Sequence, residues 1–178
     1  MSVELGQSPN ILSWEPIDGR ALANYILDFC DAQKRPITNL SLQKIVFFCH
    51  VWTLIDFDKP IIKQEFEAWE FGPVLQYVYR EFKNAGDSPI LNRAKKLDPV
   101  TGQHVIVENT LPNEIRVHLN NILNFYTRLS AGQLVNLSHV KSGPWEQVWN
   151  HAGKTNPGMR ISNDAIKMFY STAKETLS

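Results

Sequence analysis

The chain has 178 residues, of which 43% are hydrophobic and 11% aromatic, and 18 basic residues balance 18 acidic ones. This length predicts a single domain with a substantial core, because domains typically hold ~100–200 residues. The balanced charge excludes a disordered polyelectrolyte and disfavours a protein that coats nucleic acid, since such a protein carries a basic excess.

Two helices are predicted in the first third of the chain. The first spans residues 18–33, where apolar residues recur at the spacing of one helical face. The second spans residues 40–56 and can be capped by Thr38, Asn39 or Ser41. Its apolar residues fall on nearly every face, so we expect it to be the central, buried helix.

The middle of the chain mixes extended and helical patterns. Residues 59–71 are aromatic and partly alternating, which favours an extended segment. Pro73 is predicted at the first turn of a helix that reaches about Asn84 and ends before Gly86. Residues 90–109 predict a small hairpin, with strands at 95–97 and 104–107 around a turn-rich segment.

The last third is helical again. A helix over residues 112–129 is followed by one that starts with a capping box of Ser130 and Gln133. A short helix then carries Trp145 and Trp149, and Ser162 caps the last one, where Ile161 and Ile166 have the spacing of a hydrophobic staple. The fold class is therefore predicted as mainly α, a compact single-domain helical bundle of about seven helices with a small antiparallel β element.

Targeting and redox signals are weak. Cys30 and Cys49 lie in apolar helical patterns and are expected to be buried free thiols. The first 12 residues hold no apolar run typical of a signal peptide, and the longest apolar stretch, residues 45–55, is shorter than the ~18–20 residues that span a bilayer. We therefore expect a cytoplasmic protein that contacts no membrane.

Searching the sequence for chemistry yields no catalytic motif. The glycine-rich phosphate loops, HExxH and paired Cys/His spacings are missing from it, so no cofactor and no metal site is predicted. His50 and His139 lie in apolar helical patterns and are more typical of core residues than of acids or bases. Cys49 and His50 cannot form a nucleophile pair easily, because consecutive helical side chains point ~100° apart. A nucleic-acid role would depend on residues 93–96 alone and is disfavoured.

Aromatic residues cluster near the predicted ends of helices and loops: Trp52, Trp69, Phe71, Tyr77, Tyr79, Trp145 and Trp149. Part of this set must belong to the core. Large aromatic side chains that stay exposed near loops are the residue type that anchors protein–protein contacts. This pattern favours a binding protein over an enzyme.

Three sequence blocks, in order, resemble the Panacea domain of the SocA-like antitoxin family. The first is residues 37–52, ITNLSLQKIVFFCHVW; the second is residues 66–82, with FEAWEFGPV and VYREF; the third is residues 130–145, with SAGQL, LSH and GPW. The likeness covers roughly residues 18–170. It implies a domain over residues 18–178, preceded by an N-terminal extension of residues 1–17.

This resemblance implies an antitoxin of a bacterial or phage toxin–antitoxin module, which neutralises a toxin protein encoded by the adjacent gene through direct binding and catalyses no reaction. The candidate partner-binding residues are Trp69, Phe71, Tyr77, Tyr79 and Arg80. The other positions that match the family pattern are expected to be structural: Leu42, Gln43, Lys44, His50, Trp52, Gly72, Pro73, Phe82, His139, Pro144 and Trp145.

Two departures from the family pattern stand out. Phe71 occupies a position where tyrosine is common, so a hydroxyl is lost there, and Val51 replaces a small residue before Trp52. The hairpin over residues 90–109 matches no family pattern, which is expected of a surface that selects partners and equally of a neutral loop.

The sequence is compatible with two other functions. The protein could be an adaptor that delivers the toxin to a protease, which would shorten the toxin's lifetime instead of forming a stable complex. It could also be an enzyme that reverses the toxin's modification with His50 or His139, which would act in substoichiometric amounts. A homo-oligomer is compatible with the sequence.

Overall fold

The computed structural model describes residues 13–150 and 157–177. Within these residues the chain forms seven α-helices and five short strands, in agreement with the predicted fold class. The helices are α1 (Gly19–Ala32), α2 (Asn39–Phe57), α3 (Gln76–Phe82), α4 (Asn113–Tyr126), α5 (Ala131–Ser138), α6 (Pro144–Trp149) and α7 (Asn163–Leu177). The strands are β1 (Phe66–Trp69), β2 (Gly72–Val74), β3 (Lys95–Leu97), β4 (His104–Ile106) and β5 (Arg160–Ile161).

Helix α2 is the centre of the molecule, as its sequence predicts. It packs against α1, α4, α5 and α7, and 14 of its 19 residues are buried. The hydroxyl of Thr38 accepts a hydrogen bond from the backbone N–H of Ser41 and so caps the first turn. By length and composition α2 could cross a membrane, but 72% of its most apolar stretch is buried inside the protein. Its apolar character is thus explained by the core.

Two antiparallel sheets complete the fold. Strand β1 lies between β2 and β5, with Glu67 opposite Val74 and Phe66 opposite Ile161. Strands β3 and β4 form the predicted hairpin. Both ends of this hairpin are held on α1 by the buried amide of Asn24, which donates to the carbonyl oxygens of Ala94 and Val107 and accepts from the N–H of Ala94.

The prediction for Pro73 was wrong. Pro73 lies in strand β2, and helix α3 begins later, at Gln76. Proline fits here because of its place in the ladder: it lies opposite Ala68 of β1, one position from the pair of Trp69 and Gly72 that closes the hairpin. Hydrogen-bonded and non-hydrogen-bonded pairs alternate along an antiparallel ladder, so the nitrogen of Pro73 points away from β1 and its missing N–H costs no ladder bond.

Several predicted ends of helices are confirmed. The capping box of Ser130 and Gln133 is present at the start of α5. The Ser162 hydroxyl accepts from the N–H of Ala165 at the start of α7. A short 3₁₀ turn extends α3 to Ala85, and Gly86, with φ +56°, ends it.

The chain just before α1 packs on the domain. Trp14 and Ile17 are buried, and Ile17 pairs with the segment around Ile62. The remainder of the predicted extension, residues 1–12, lies outside the described residues. The described part of the extension thus contributes to the core, while the predicted boundary at residue 18 stays a prediction.

Candidate functional site

The turn between β1 and β2 presents an aromatic side chain to solvent. Trp69 and Gly72 close the hairpin, so Glu70 and Phe71 form its two-residue turn. The Phe71 side chain is 59% exposed. The two-residue turn fixes the position of the Phe71 backbone, and a phenyl side chain has only two rotatable bonds to order on binding.

Beside this turn lies a groove of about 410 Å³ between the start of α2, the β1–β2 hairpin and the end of α3. The rings of Trp69 and Tyr79 meet edge to face, with centroids 5.0 Å apart, and Phe71 and Val74 continue the apolar lining. The indole N–H of Trp69 donates to Glu67, which fixes the orientation of that ring. The lining contains two charged residues of opposite sign, Lys83 and Asp87, and both follow the end of α3 in the sequence.

The back of the hairpin is packed tightly. Gly72 has φ +102°, a conformation that side chains other than glycine rarely adopt. A methyl group placed there would lie 2.5 Å from the Ser138 hydroxyl oxygen and 2.9 Å from Cε of Lys44. Glycine is therefore required on two grounds, the backbone angle and the close approach of α2 and α5.

Lys44 and Gln43 join α2 to the strand behind the groove. The Lys44 ammonium donates to the carbonyl oxygen of Pro73 at 2.8 Å, and the side-chain oxygen of Gln43 accepts from the N–H of Leu75 at 2.9 Å. Gln43 also donates to Asn39, which in turn donates to the carbonyl oxygen of Tyr79. Both edges of the groove are thus tied to the first turns of α2.

A third tie comes from α6. The indole N–H of Trp145 donates to the carbonyl oxygen of Trp69 at 2.7 Å. The Trp145 ring is stacked on the imidazole of His139, with centroids 3.7 Å apart and an interplanar angle of 5°. The three sequence blocks that match the family pattern therefore converge on one hairpin.

Two basic groups lie behind that hairpin. Lys44 is completely buried, and burial lowers its pKa to about 7. Burial lowers the pKa of His139 as well, and the neighbouring Lys44 adds to that shift. Lys44 forms no ion pair among the described residues, so a carbonyl oxygen is the partner of a fully buried amine.

The structure brings three of the five candidate partner-binding residues together: Trp69, Phe71 and Tyr79 line the groove. Tyr77 and Arg80 are exposed on α3 but do not line it. The Tyr77 ring is covered by the guanidinium of Arg20 at 4.5 Å, and Arg20 is itself paired with Asp18.

The other positions that match the family pattern serve the core. Leu42 and Phe82 are buried, and Pro144 occupies the first turn of α6. The Trp52 indole donates to the Tyr126 hydroxyl at 2.7 Å. His50 donates from Nε2 to the side-chain oxygen of Asn163 at 2.7 Å, and burial lowers its pKa to about 4.

No acid–base pair is assembled around either candidate histidine within the described residues. Asn163 is the side-chain hydrogen-bond partner of His50, and His139 is stacked on an indole. Groups of three or more metal-binding side chains are also missing from the part of the chain that the structure describes.

Seven lining residues were not among the candidate partner-binding residues: Asn39, Leu40, Gln43, Val74, Lys83, Gly86 and Asp87. Leu40 has a weak sequence signal for a surface contact, because it is an apolar residue in the first turn of a capped helix. In the structure its side chain is 37% exposed. Lys83, Gly86 and Asp87 come close to the start of α2 only through the packing of α3 on α2.

Comparisons with known proteins identify the family of the chain. The family model described as antitoxin SocA-like, Panacea domain, matches residues 42–146, which include all three ties to the hairpin. Antitoxin SocA of Caulobacter vibrioides (strain NA1000 / CB15N) is 39% identical over 165 residues, which cover 92% of this chain and 88% of that protein. No solved structure matches the chain. The chain belongs to the SocA-like antitoxin family of Panacea-domain proteins.

Proposed function

We propose that this protein neutralises a cognate toxin protein, encoded by the adjacent gene, by binding it directly through the aromatic groove. Family membership supports an antitoxin role and implies a toxin partner in general. The observation that supports the groove as the contact surface is the exposed Phe71 ring on a turn that three separate contacts hold in place.

The chemistry of the groove fits an apolar anchor. Trp69, Phe71 and Tyr79 offer aromatic faces and edges around a cavity of about 410 Å³, which accommodates one or two large apolar side chains of a partner. Aromatic residues in well-packed pockets supply most of the binding energy at protein interfaces. Because the turn is already rigid, binding orders little of the antitoxin.

The experiment compares Phe71→Ala with Phe125→Ala. Phe125 is a matched control, because its ring is 58% exposed against 59% for Phe71 and it lies on α4, outside the groove. Each variant is co-expressed with the product of the adjacent gene, and cell survival and co-purification are measured. We expect Phe71→Ala to weaken binding by about 30-fold and to reduce protection, and Phe125→Ala to behave as the wild type.

Toxin lifetime provides a second readout from the same cells. Direct masking leaves the toxin long-lived in a stoichiometric complex, whereas delivery to a protease shortens its lifetime. Protection by substoichiometric antitoxin with an unchanged toxin level would point to catalysis and would contradict masking. Full protection by Phe71→Ala, Trp69→Ala and Tyr79→Ala would place the contact surface elsewhere.

A further inference from the structure

Two basic side chains meet behind the turn that carries Phe71. A methyl group placed on Gly72 would lie 2.9 Å from Cε of Lys44 and 3.2 Å from Nε2 of His139. An amine from α2 and an imidazole from the end of α5 therefore approach the same point on β2. They are close enough for the charge of Lys44 to lower the pKa of His139.

Neither basic group has a carboxylate partner among the described residues. Lys44 donates to the carbonyl oxygen of Pro73, and Nε2 of His139 is buried without a hydrogen-bond partner in that part of the chain. The nearby hydroxyl of Ser138 donates to the carbonyl oxygen of Val135 and is neutral. A second positive charge in this cluster would therefore have no counter-ion.

The elements around the cluster contribute four other charged side chains. The Glu67 carboxylate of β1 accepts from the Trp69 indole, and that of Glu146 on α6 accepts from a backbone N–H. Glu70 on the turn and Lys141 after α5 are exposed. None of the four forms an ion pair with either basic group. The amine and the imidazole are therefore the two groups whose charges act on each other here.

His139 supports the groove through Trp145. The imidazole is stacked on the indole with centroids 3.7 Å apart, and that indole donates to the carbonyl oxygen of Trp69 at 2.7 Å. His139 is the C-cap of α5 and is partly exposed, so its ring can turn into solvent while the helix stays in place. Departure of the ring would remove this stacking partner from the indole that fixes the groove wall.

Protonation favours departure of the ring. Lys44, with a pKa of about 7, is charged in most molecules below neutrality, so a proton on His139 adds a second positive charge beside it. The indole does not oppose that charge, because aromatic faces are negative. The cost arises from burial of Nε2 and from Lys44. A ring in water has an ordinary pKa near 6.5, so the stacked form is favoured above that pH and is lost as the pH falls below it.

We propose that Lys44 and His139 form an acid-sensitive latch for the β1–β2 hairpin, and that opening of this latch at acidic pH weakens the hold of the aromatic groove on the toxin. The second half rests on the proposed function, because it takes the groove as the contact surface. At neutral pH the uncharged imidazole stacks on Trp145 and keeps the groove wall in place. On acidification the charged ring turns outward, and the bond from Trp145 to Trp69 weakens.

The latch is tested first in the free chain by NMR. The indole N–H signal of Trp145 is assigned from its loss in Trp145→Phe and is followed from pH 8 to pH 5. We expect it to shift with an apparent pKa below 6.5. His139→Phe keeps a ring on the indole and removes the titrating group, so the signal should stay constant. His139→Gln is a second variant without a titrating ring and is smaller than the phenyl.

His118 provides the matched control. Its Nε2 is also buried without a hydrogen-bond partner among the described residues, and burial lowers its pKa, but it lies on α4 beside Asp56. His118→Gln should therefore leave the titration of the Trp145 indole unchanged. Lys44→Met removes the second charge, so the titration should move toward 6.5 and its amplitude should fall.

Toxin affinity is then measured at pH 7.5 and pH 5.5 with the product of the adjacent gene. Uptake of one proton limits the loss to about tenfold per pH unit below 6.5. We expect the wild type to lose about fivefold more affinity than His139→Phe, in which any titration of the toxin itself remains.

The outcomes separate the latch from the groove. An indole signal that does not titrate, or an equal pH dependence of toxin affinity in the wild type and both His139 variants, would overturn the proposal. Toxin affinity that is unchanged in Phe71→Ala at pH 7.5 would overturn the groove as the contact surface, while a titrating indole signal would still support the latch.

Discussion

The ammonium of Lys44 lies 2.8 Å from the carbonyl oxygen of Pro73, with no solvent exposure at the lysine side chain. This contact links the central helix to the strand that supports the Phe71 turn. Burial of an amine with one carbonyl partner is costly when the amine is charged, and that cost appears as a lowered pKa.

Stability should therefore rise with pH above neutrality. The pKa of Lys44 falls from 10.5 to about 7 on folding, so the unfolded chain binds the extra proton between these values. The contribution of Lys44 to the free energy of unfolding is greatest above pH 10.5, declines as pH falls toward 7 and is constant below that. The full change is about 5 kcal/mol. Urea unfolding from pH 7 to pH 10 measures it.

Lys44→Met isolates this contribution from other groups that titrate in the same range. The variant keeps the apolar stem and removes the titrating amine, so its stability should rise less with pH than that of the wild type. Parallel pH profiles for the two proteins would show that the Lys44 amine is charged in the folded state across this range.

His50 predicts a second pH dependence, on the acid side. Burial lowers its pKa from 6.5 to about 4, so the unfolded chain takes up a proton first as the pH falls. The stability from neutral His50 is complete above pH 6.5 and is lost as the pH falls toward 4, by about 3 kcal/mol. His50→Gln keeps a donor for Asn163 and should flatten the profile in this window. An unchanged slope in that variant would assign acid unfolding to other groups.

Gly72→Ala should be the most damaging single-methyl change in the hairpin. The added Cβ meets Ser138 at 2.5 Å, and φ is +102°. We expect a loss of about 3 kcal/mol in the free energy of unfolding, from backbone strain and overpacking together.

Gly102→Ala is the control for the backbone angle alone. Gly102 has φ +68°, but no atom lies within 4 Å of the added methyl, so a loss of about 1 kcal/mol is expected. Thermal unfolding of the two variants separates strain from collision. Equal losses would show that the packing behind Gly72 yields easily.

Trp145→Phe tests the tie from α6. It removes the hydrogen bond to the carbonyl oxygen of Trp69 while leaving a ring to stack on His139, and it should cost about 1 kcal/mol. Binding of the toxin should weaken as well, because the groove loses a fixed edge. Trp149→Phe is the control, since its side chain is 40% exposed and, among the residues that the structure describes, its indole N–H has no hydrogen-bond partner. Equal behaviour of both variants would remove α6 from the support of the groove.

Most helices and strands of the fold could be predicted from the local sequence pattern. The all-round apolar helix α2, the capping box at Ser130 and the hairpin strands follow from nearest-neighbour chemistry and were confirmed. The prediction for Pro73 was wrong because two positions tolerate proline for the same reason. Neither the first turn of a helix nor a strand residue whose nitrogen points away from its partner needs a backbone N–H. The two-residue strand β5 is too short to produce a periodic signal.

The groove was only partly predictable, for a related reason. Aromatic residues near loops marked Trp69, Phe71 and Tyr79, but the same pattern also marked Tyr77, which lies under Arg20. Which aromatic side chains share one groove depends on contacts between residues far apart in sequence. The hydrogen bond from the Trp145 indole to the Trp69 carbonyl oxygen joins residues 76 positions apart, so the spacing of neighbouring residues cannot predict it.

Asn24 gives the β3–β4 segment a single point of attachment at both of its ends. Its amide side chain forms hydrogen bonds to both ends of the β3–β4 segment, at Ala94 and at Val107. We expect changes between these two anchors to keep the Asn24 hydrogen bonds, provided that the carbonyl oxygen of Lys95 still accepts from Arg20. We therefore expect this segment to tolerate changes of sequence and length better than the helices that support it.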